Sequence, residues 1–180
     1  MDDRMSTAEH TVMRNRARKL SVVPATDQGE DRFLQVLEFL LGSEKFAMEN
    51  VHIREVTALP IVTPLPCVPS FIQGIMNIRG SIVSLLDLKA ILGLPGTASE
   101  PGACVIILHS PEMEFGLLAD QLVGLVSIPL SDIHPPPPAA MEERNRYLKG
   151  ITLDGLVLLD SGKLLADKTL VVDETVRAPG

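Results

Sequence analysis

The sequence predicts a mainly β protein, a barrel or sandwich, in which two similar small β units follow one another. Three observations predict it. From Phe33 onward, short apolar runs are separated by Gly, Pro, Asn and Asp, the spacing of many short strands. The stretch LPIVTPLPCVPSF (59–71) carries four prolines, which exclude a helix and a central strand there. The chain also repeats itself. FLLGSEKFAM (39–48) resembles IILHSPEMEFGL (106–117), each an apolar strand, a turn containing a Glu, then Phe; Phe46 and Phe115 lie 115 − 46 = 69 residues apart. GIMNIRGSIVSLLDLKAIL (74–92) resembles GITLDGLVLLDSGKLL (150–165), with Gly74 and Gly150 lying 150 − 74 = 76 residues apart. Two related offsets in the same order predict two tandem β units of half a chain each. Neither would bury much core alone, so they are expected to pack together.

The elements follow in order. Residues 1–32 form an N-terminal extension. AEHTVMRNRARKLS places Val12, Met13, Ala17 and Leu20 near one helical face, with Arg14, Arg16, Arg18 and Lys19 mostly elsewhere, so one amphipathic helix is expected. Such a helix either docks, solvated, on its own domain or binds a partner or an anionic surface; the first is the simpler reading of a charge run. QVLEFLLG and KFAMENVHI read as strands around a turn at Gly42–Glu44. GIMNIRGSIVSLLDL, ACVIILHS, MEFGLLADQLVGLVSI and GITLDGLVLLD supply further strands. Short helices are expected after Asp87 (LKAILG) and Asp160 (SGKLLA). Asp87 and Asp120 each follow an apolar run, where an Asp caps a helix or turn. IHPPPPAAMEERNRY (133–147) interrupts the second unit. Its consecutive prolines make a stiff spacer, and AAMEERNRY reads as a short helix.

Composition narrows the function. Five Phe, one Tyr and no Trp leave little to build a base-stacking surface. A net charge of −7 argues against broad binding to a phosphate backbone. No apolar run reaches the ~20 residues of a membrane helix, and the N-terminus lacks the apolar core of a secretory signal. The chain is therefore expected in the cytoplasm, with Cys67 and Cys104 as reduced core residues rather than a disulfide. His10, His52, His109 and His134 do not fall at metal-ligand spacing. There is no glycine-rich phosphate loop and no G-x-S-x-G elbow. No catalytic, cofactor-binding or metal-binding residue is nominated.

One residue resists this account. Arg79 stands in an otherwise apolar stretch, beside Gly80. A salt-bridged structural arginine is one explanation. An interface hot spot is the other, because a guanidinium can stack and bond bidentately at the edge of a binding surface. The glycine beside it lets the side chain project from a tight turn.

At these residues the sequence resembles the chemotaxis coupling proteins, the CheW family, whose hallmark runs G-hydrophobic-x-N-[LI]-R-G and closes on D-L. Here those positions are Gly74, Asn77, Ile78, Arg79, Gly80, Asp87 and Leu88. FLLGSEKFAMENVHIREV (39–56), FGLLADQLVGLVSI (115–128), IHPPPP (133–138) and YLKGITLDGLVLLDSGKLL (147–165) match in the family's order. The resemblance covers residues 33–168 and leaves 169–180 as a C-terminal tail. Ser84 replaces the family's usual proline, which would loosen the local strand.

The resemblance implies a CheW-like fold of two small five-stranded β-barrels, tandem or interleaved, around a hydrophobic joint. It implies a non-enzymatic adaptor, without cofactor, that couples methyl-accepting chemoreceptors to the histidine kinase CheA. The kinase's regulatory domain would pack barrel on barrel, and receptor tips would lie between the barrels. Such an adaptor works in the cytoplasm, recruited to receptor arrays, without membrane insertion or nucleic acid. Carried over by position, Arg79 and Glu55 are the nominated contacts. Ile53, two positions before Glu55, is expected on the same strand face, and Val105 and Leu125 match second-barrel interface positions. Each of these last three also reads as a plain core residue. The same module in a non-flagellar pathway, such as pilus-driven motility, is the first alternative. A small-ligand or oligonucleotide-binding β-barrel is the more distant one.

Overall fold

The computed structural model describes residues 32–96, 102–136 and 146–170. The expected N-terminal helix lies outside them, as does AAMEERNRY up to residue 145; its last two residues, Arg146 and Tyr147, form a turn. The chain opens on an antiparallel hairpin of β1 (Phe33–Leu41) and β2 (Glu44–Glu49), in which Phe39 faces Phe46. After a 3₁₀ turn at Asn50–His52 come β3 (Ile53–Ala58) and the two-residue β4 (Val62–Thr63). A second hairpin, β5 (Ile72–Ile78) and β6 (Ser81–Asp87), runs into the short helix α1 (Leu88–Ile91). The pattern then recurs. β7 (Cys104–His109) and β8 (Glu114–Ala119) form a hairpin, β9 (Gln121–Pro129) follows, and β10 (Leu148–Ile151) with β11 (Val157–Leu159) leads into α2 (Ser161–Ala166). Asp87 and Asp160 cap the two helices, accepting from the backbone N–H of Ala90 and Lys163. Both caps stand where the sequence expects them.

Two sheets result, β10-β11-β2-β1-β9 and β3-β7-β8-β6-β5-β4. The duplication is visible in their ladders. β11 runs parallel to β2 with Val157 beside Phe46, and β6 runs parallel to β8 with Ser84 beside Phe115. Ser84 is paired on its other side to Ile75, and β6 continues unbroken through it. Even the irregularities repeat. Against β1, β9 passes from Gly124 to Leu122 as β1 advances from Glu38 to Phe39. Against β7, β3 passes from Glu55 to Ile53 as β7 advances from Ile107 to Leu108.

The duplication does not give one sheet per half-chain, as tandem units would. The five-stranded sheet takes β1 and β2 from the first half and β9, β10 and β11 from the second; the other sheet takes the complement. Both outer sides of the β1–β2 hairpin are taken by strands of the second half, β9 beside β1 and β11 beside β2, which leaves no edge there for β3. Only Asn50–His52 separate β2 from β3, and only Asp120 separates β8 from β9. Each third strand continues into the opposite sheet.

Side-chain alternation sorts the apolar residues into three clusters. On β7, Cys104, Ile106 and Leu108 join the large core shared by both sheets, while Val105 and Ile107 turn into a smaller cluster inside the six-stranded sheet. On β1 and β2, Leu37, Phe39, Phe46 and Met48 face the shared core, while Val36 and Ala47 face a third cluster inside the five-stranded sheet. Each sheet thus wraps its own small core and buries its other face against its twin. The sixth strand, β4, passes over Gly74, where a Cβ would stand 2.3 Å from the Thr63 carbonyl oxygen. Its counterpart is the bridge between His134 and Ile151, which passes over Gly150. Of the two cysteines, Cys104 is buried as expected, whereas Cys67 is exposed. The proline-rich loop that carries Cys67 lies outside the ladders, so alternation gives its side chain no core to face.

Candidate protein-binding surface

Arg79 and Gly80 are the two loop residues of the β5–β6 hairpin, closed by Ile78 facing Ser81. Both have positive φ, 51° and 91°, the signature of a type I′ turn matched to the twist of its strands. Such turns favour Asn or Gly first. An arginine there costs about 1–2 kcal/mol of left-handed strain. Two interactions hold it. The Asn77 Oδ1 accepts the Gly80 backbone N–H at 2.8 Å. The Arg79 guanidinium donates to Glu55 Oε2, also at 2.8 Å, with side-chain exposures of 78% and 18%. β3 stands at one edge of its sheet and the β5–β6 hairpin towards the other, so this contact also shows that the sheet curls its ends together. An exposed pair contributes ~1 kcal/mol at most. Stability alone does not repay the strained turn.

The structure treats the other nominees unequally. Ile53 packs half-buried against the shared core. It does not share a face with Glu55: the bulge between them inserts one residue and shifts the alternation, so Val56 joins Ile53 on the shared core and Glu55 faces Ile107. Val105 is fully buried in the cluster inside the six-stranded sheet. Its β7 position points inward, and it has no surface to offer a partner. Leu125 is 64% exposed on the edge strand β9, near exposed Leu122 and Val123. Ile82, the ladder partner of Asn77, is 66% exposed beside the Arg79 turn. The sequence did not single it out, because an isoleucine in a strand reads as core.

A second charged pair was not foreseen. Lys89 Nζ bonds both carboxylate oxygens of Asp120 at 2.8 and 2.9 Å, and both side chains are 7% exposed. Asp120 also accepts the Gly42 N–H at 2.6 Å. It therefore caps the β1–β2 turn, as its position after an apolar run implies, while tying α1 to that turn at the β8–β9 crossover. At the other crossover His52 Nδ1 lies 2.8 Å from the buried Ser161 hydroxyl at the start of α2. Among the described residues no group of three or more His, Cys, Asp or Glu side chains is placed to hold a metal.

A duplicated pair of intertwined β sheets around a common core, with an arginine raised on a strained turn, defines a two-subdomain β scaffold. Comparison with known proteins fixes which one. The CheW-like domain matches residues 35–169, and the chain belongs to that family. It is 28% identical to the chemotaxis protein CheW of Klebsiella aerogenes over 82% of this chain and 91% of that one. It is 32% identical to the protein FrzA of Myxococcus xanthus over 55% of this chain and 62% of that one. The crystal structure of the scaffolding protein TtCheW from Thermoanaerobacter tengcongensis superposes with a TM-score of 0.65 at 26% identity, covering 71% of this chain and 89% of that one. The chain is a chemotaxis-type adaptor scaffold.

Proposed function

We propose that this adaptor binds the regulatory domain of the histidine kinase CheA and the cytoplasmic tips of methyl-accepting chemoreceptors at once, so that a receptor change biases the kinase. It does so without catalysis or cofactor. One observation carries the reading: an exposed arginine held at a cost on a strained turn, where its ion pair returns little stability. Arg79 and Glu55 are its recognition pair, with Ile82 and Leu125 as apolar contacts, and Ile53 supports β3 from the core side. The scaffold works in the cytoplasm and is recruited to receptor arrays; among the described residues no helix is long and apolar enough to cross a membrane.

The test mixes the protein with a receptor signalling-tip fragment and the kinase regulatory domain and reads the complex by size-exclusion chromatography. A ternary complex is expected, weakened by ~1–3 kcal/mol in Arg79→Ala. Full binding by that variant would return Arg79 to a structural role. The similarity to FrzA keeps a pathway with another output in view, and the identity of the co-purified kinase separates the two.

A further inference from the structure

We propose that Asn77 is the positioning residue of the Arg79 contact: its side-chain amide fixes the conformation in which the arginine is presented. This rests on the reading of Arg79 as a partner contact. In a two-residue hairpin turn the ladder closes through the residues flanking the loop, here Ile78 and Ser81. The second loop residue's N–H is left without a backbone partner. In this chain that N–H belongs to Gly80, and the Asn77 carboxamide oxygen takes it.

The consequence falls on Arg79. Among the described residues only Arg79 and Cys67 combine a side chain with positive φ. An arginine left to itself returns to negative φ. That would turn its Cα–Cβ bond and carry the guanidinium away from Glu55. The Asn77–Gly80 bond spans the arginine and favours the turn in which both loop residues keep positive φ. Gly80 has open space around its absent Cβ, so crowding does not hold the turn in place. Beside the ladder pair Ile78–Ser81 and the ion pair to Glu55, the Asn77 bond is the one side-chain restraint on the Gly80 backbone that the structure shows.

The experiment is a double-mutant cycle on the full chain, read as affinity for the kinase regulatory domain and the receptor-tip fragment. Asn77→Ala is expected to weaken the Arg79-dependent interaction about three- to tenfold, the size of one lost hydrogen bond. Asn77→Asp, which keeps the acceptor oxygen, is expected to restore most of it. Asn77→Ala added to Arg79→Ala is expected to cost nothing more, because Asn77 acts through the arginine. An additive loss in the double variant would mean that Asn77 touches the partner itself and would overturn the proposal.

A second readout does not depend on any partner. Amide exchange of Gly80 and the Arg79 HN–Hα coupling, measured by NMR on the free protein, should both change in Asn77→Ala and recover in Asn77→Asp. If neither changes, the positioning role fails even where Arg79 proves to be a contact. If both change while Arg79→Ala binds normally, the positioning stands and the recognition reading of Arg79 fails.

Discussion

The sharpest energetic test concerns the buried pair Lys89–Asp120. Two charges with 7% exposed side chains have given up most of their hydration, and each is tolerated only because the other is there. Asp120→Ala leaves an ammonium buried in α1 with no anion and also strips the acceptor from the Gly42 N–H. Removing one member of such a pair costs about 3–5 kcal/mol. With a urea dependence near 2 kcal/mol/M, that lowers the unfolding midpoint by about 1.5–2.5 M. Asp120→Asn keeps an acceptor for Gly42 and should fall between. Replacing both partners by apolar side chains, Lys89→Met with Asp120→Leu, should recover most of the loss, since no charge is then stranded. Equilibrium urea melts followed by far-UV circular dichroism measure all four proteins. A drop below about 0.5 M for Asp120→Ala, or a double variant no better than the single, would refute the argument.

Three further outcomes follow from the fold. Gly74→Ala drives a methyl to 2.3 Å from the Thr63 carbonyl at φ 143° and should destabilise by about 2–3 kcal/mol, whereas Gly80→Ala meets nothing within 4 Å and should cost only the ~1 kcal/mol of left-handed strain; thermal melts that reverse this order would count against the β4 packing. Fragments 32–96 and 102–170, each holding strands whose ladder partners lie in the other, should unfold without cooperativity alone and regain it on mixing, and an independently folded half would contradict the strand exchange. The Tyr147 phenol, pushed up to about 12 by burial and by its hydrogen bond to Asp167, binds its proton more tightly folded than unfolded. Its contribution is whole below the unfolded value near ~10 and is lost as pH rises towards 12. Tyr147→Phe should flatten that alkaline decline in stability, and an unchanged slope would assign it to other groups.

Much of this was legible along the chain. Hairpins announce themselves by alternation and by Gly42 and Gly80, helix starts by Asp87 and Asp160, and the duplication by offsets that reappear in the ladders down to the bulges. The tight turn expected at Arg79 and Gly80 is there, with the arginine projecting from it. Other features were not legible. Val105 and Leu125 are both apolar residues in strands, and nothing local says that one is sealed in a core and the other open on an edge. The same holds for Ile82. The expectation that Ile53 and Glu55 share a face failed on a single inserted residue, because a bulge is defined by the partner strand and not by its own sequence.

The sequence by itself determined most of the strands, the hairpin turns and helix caps, and that one half echoes the other, since these depend on neighbours a few residues away. KFAMENVHI reads on as one strand, where the chain turns at Asn50–His52, and the apolar runs mark no separate strand at Ile53–Ala58 and none at Val62–Thr63. Only the tertiary structure decided which sheet each strand joins, that Lys89 would find Asp120 across a crossover, and that Arg79 would reach Glu55 from the far side of a curled sheet. Those outcomes depend on where the chain returns in space, and that is set by which sheet edges the other half occupies and by a core to which both halves contribute.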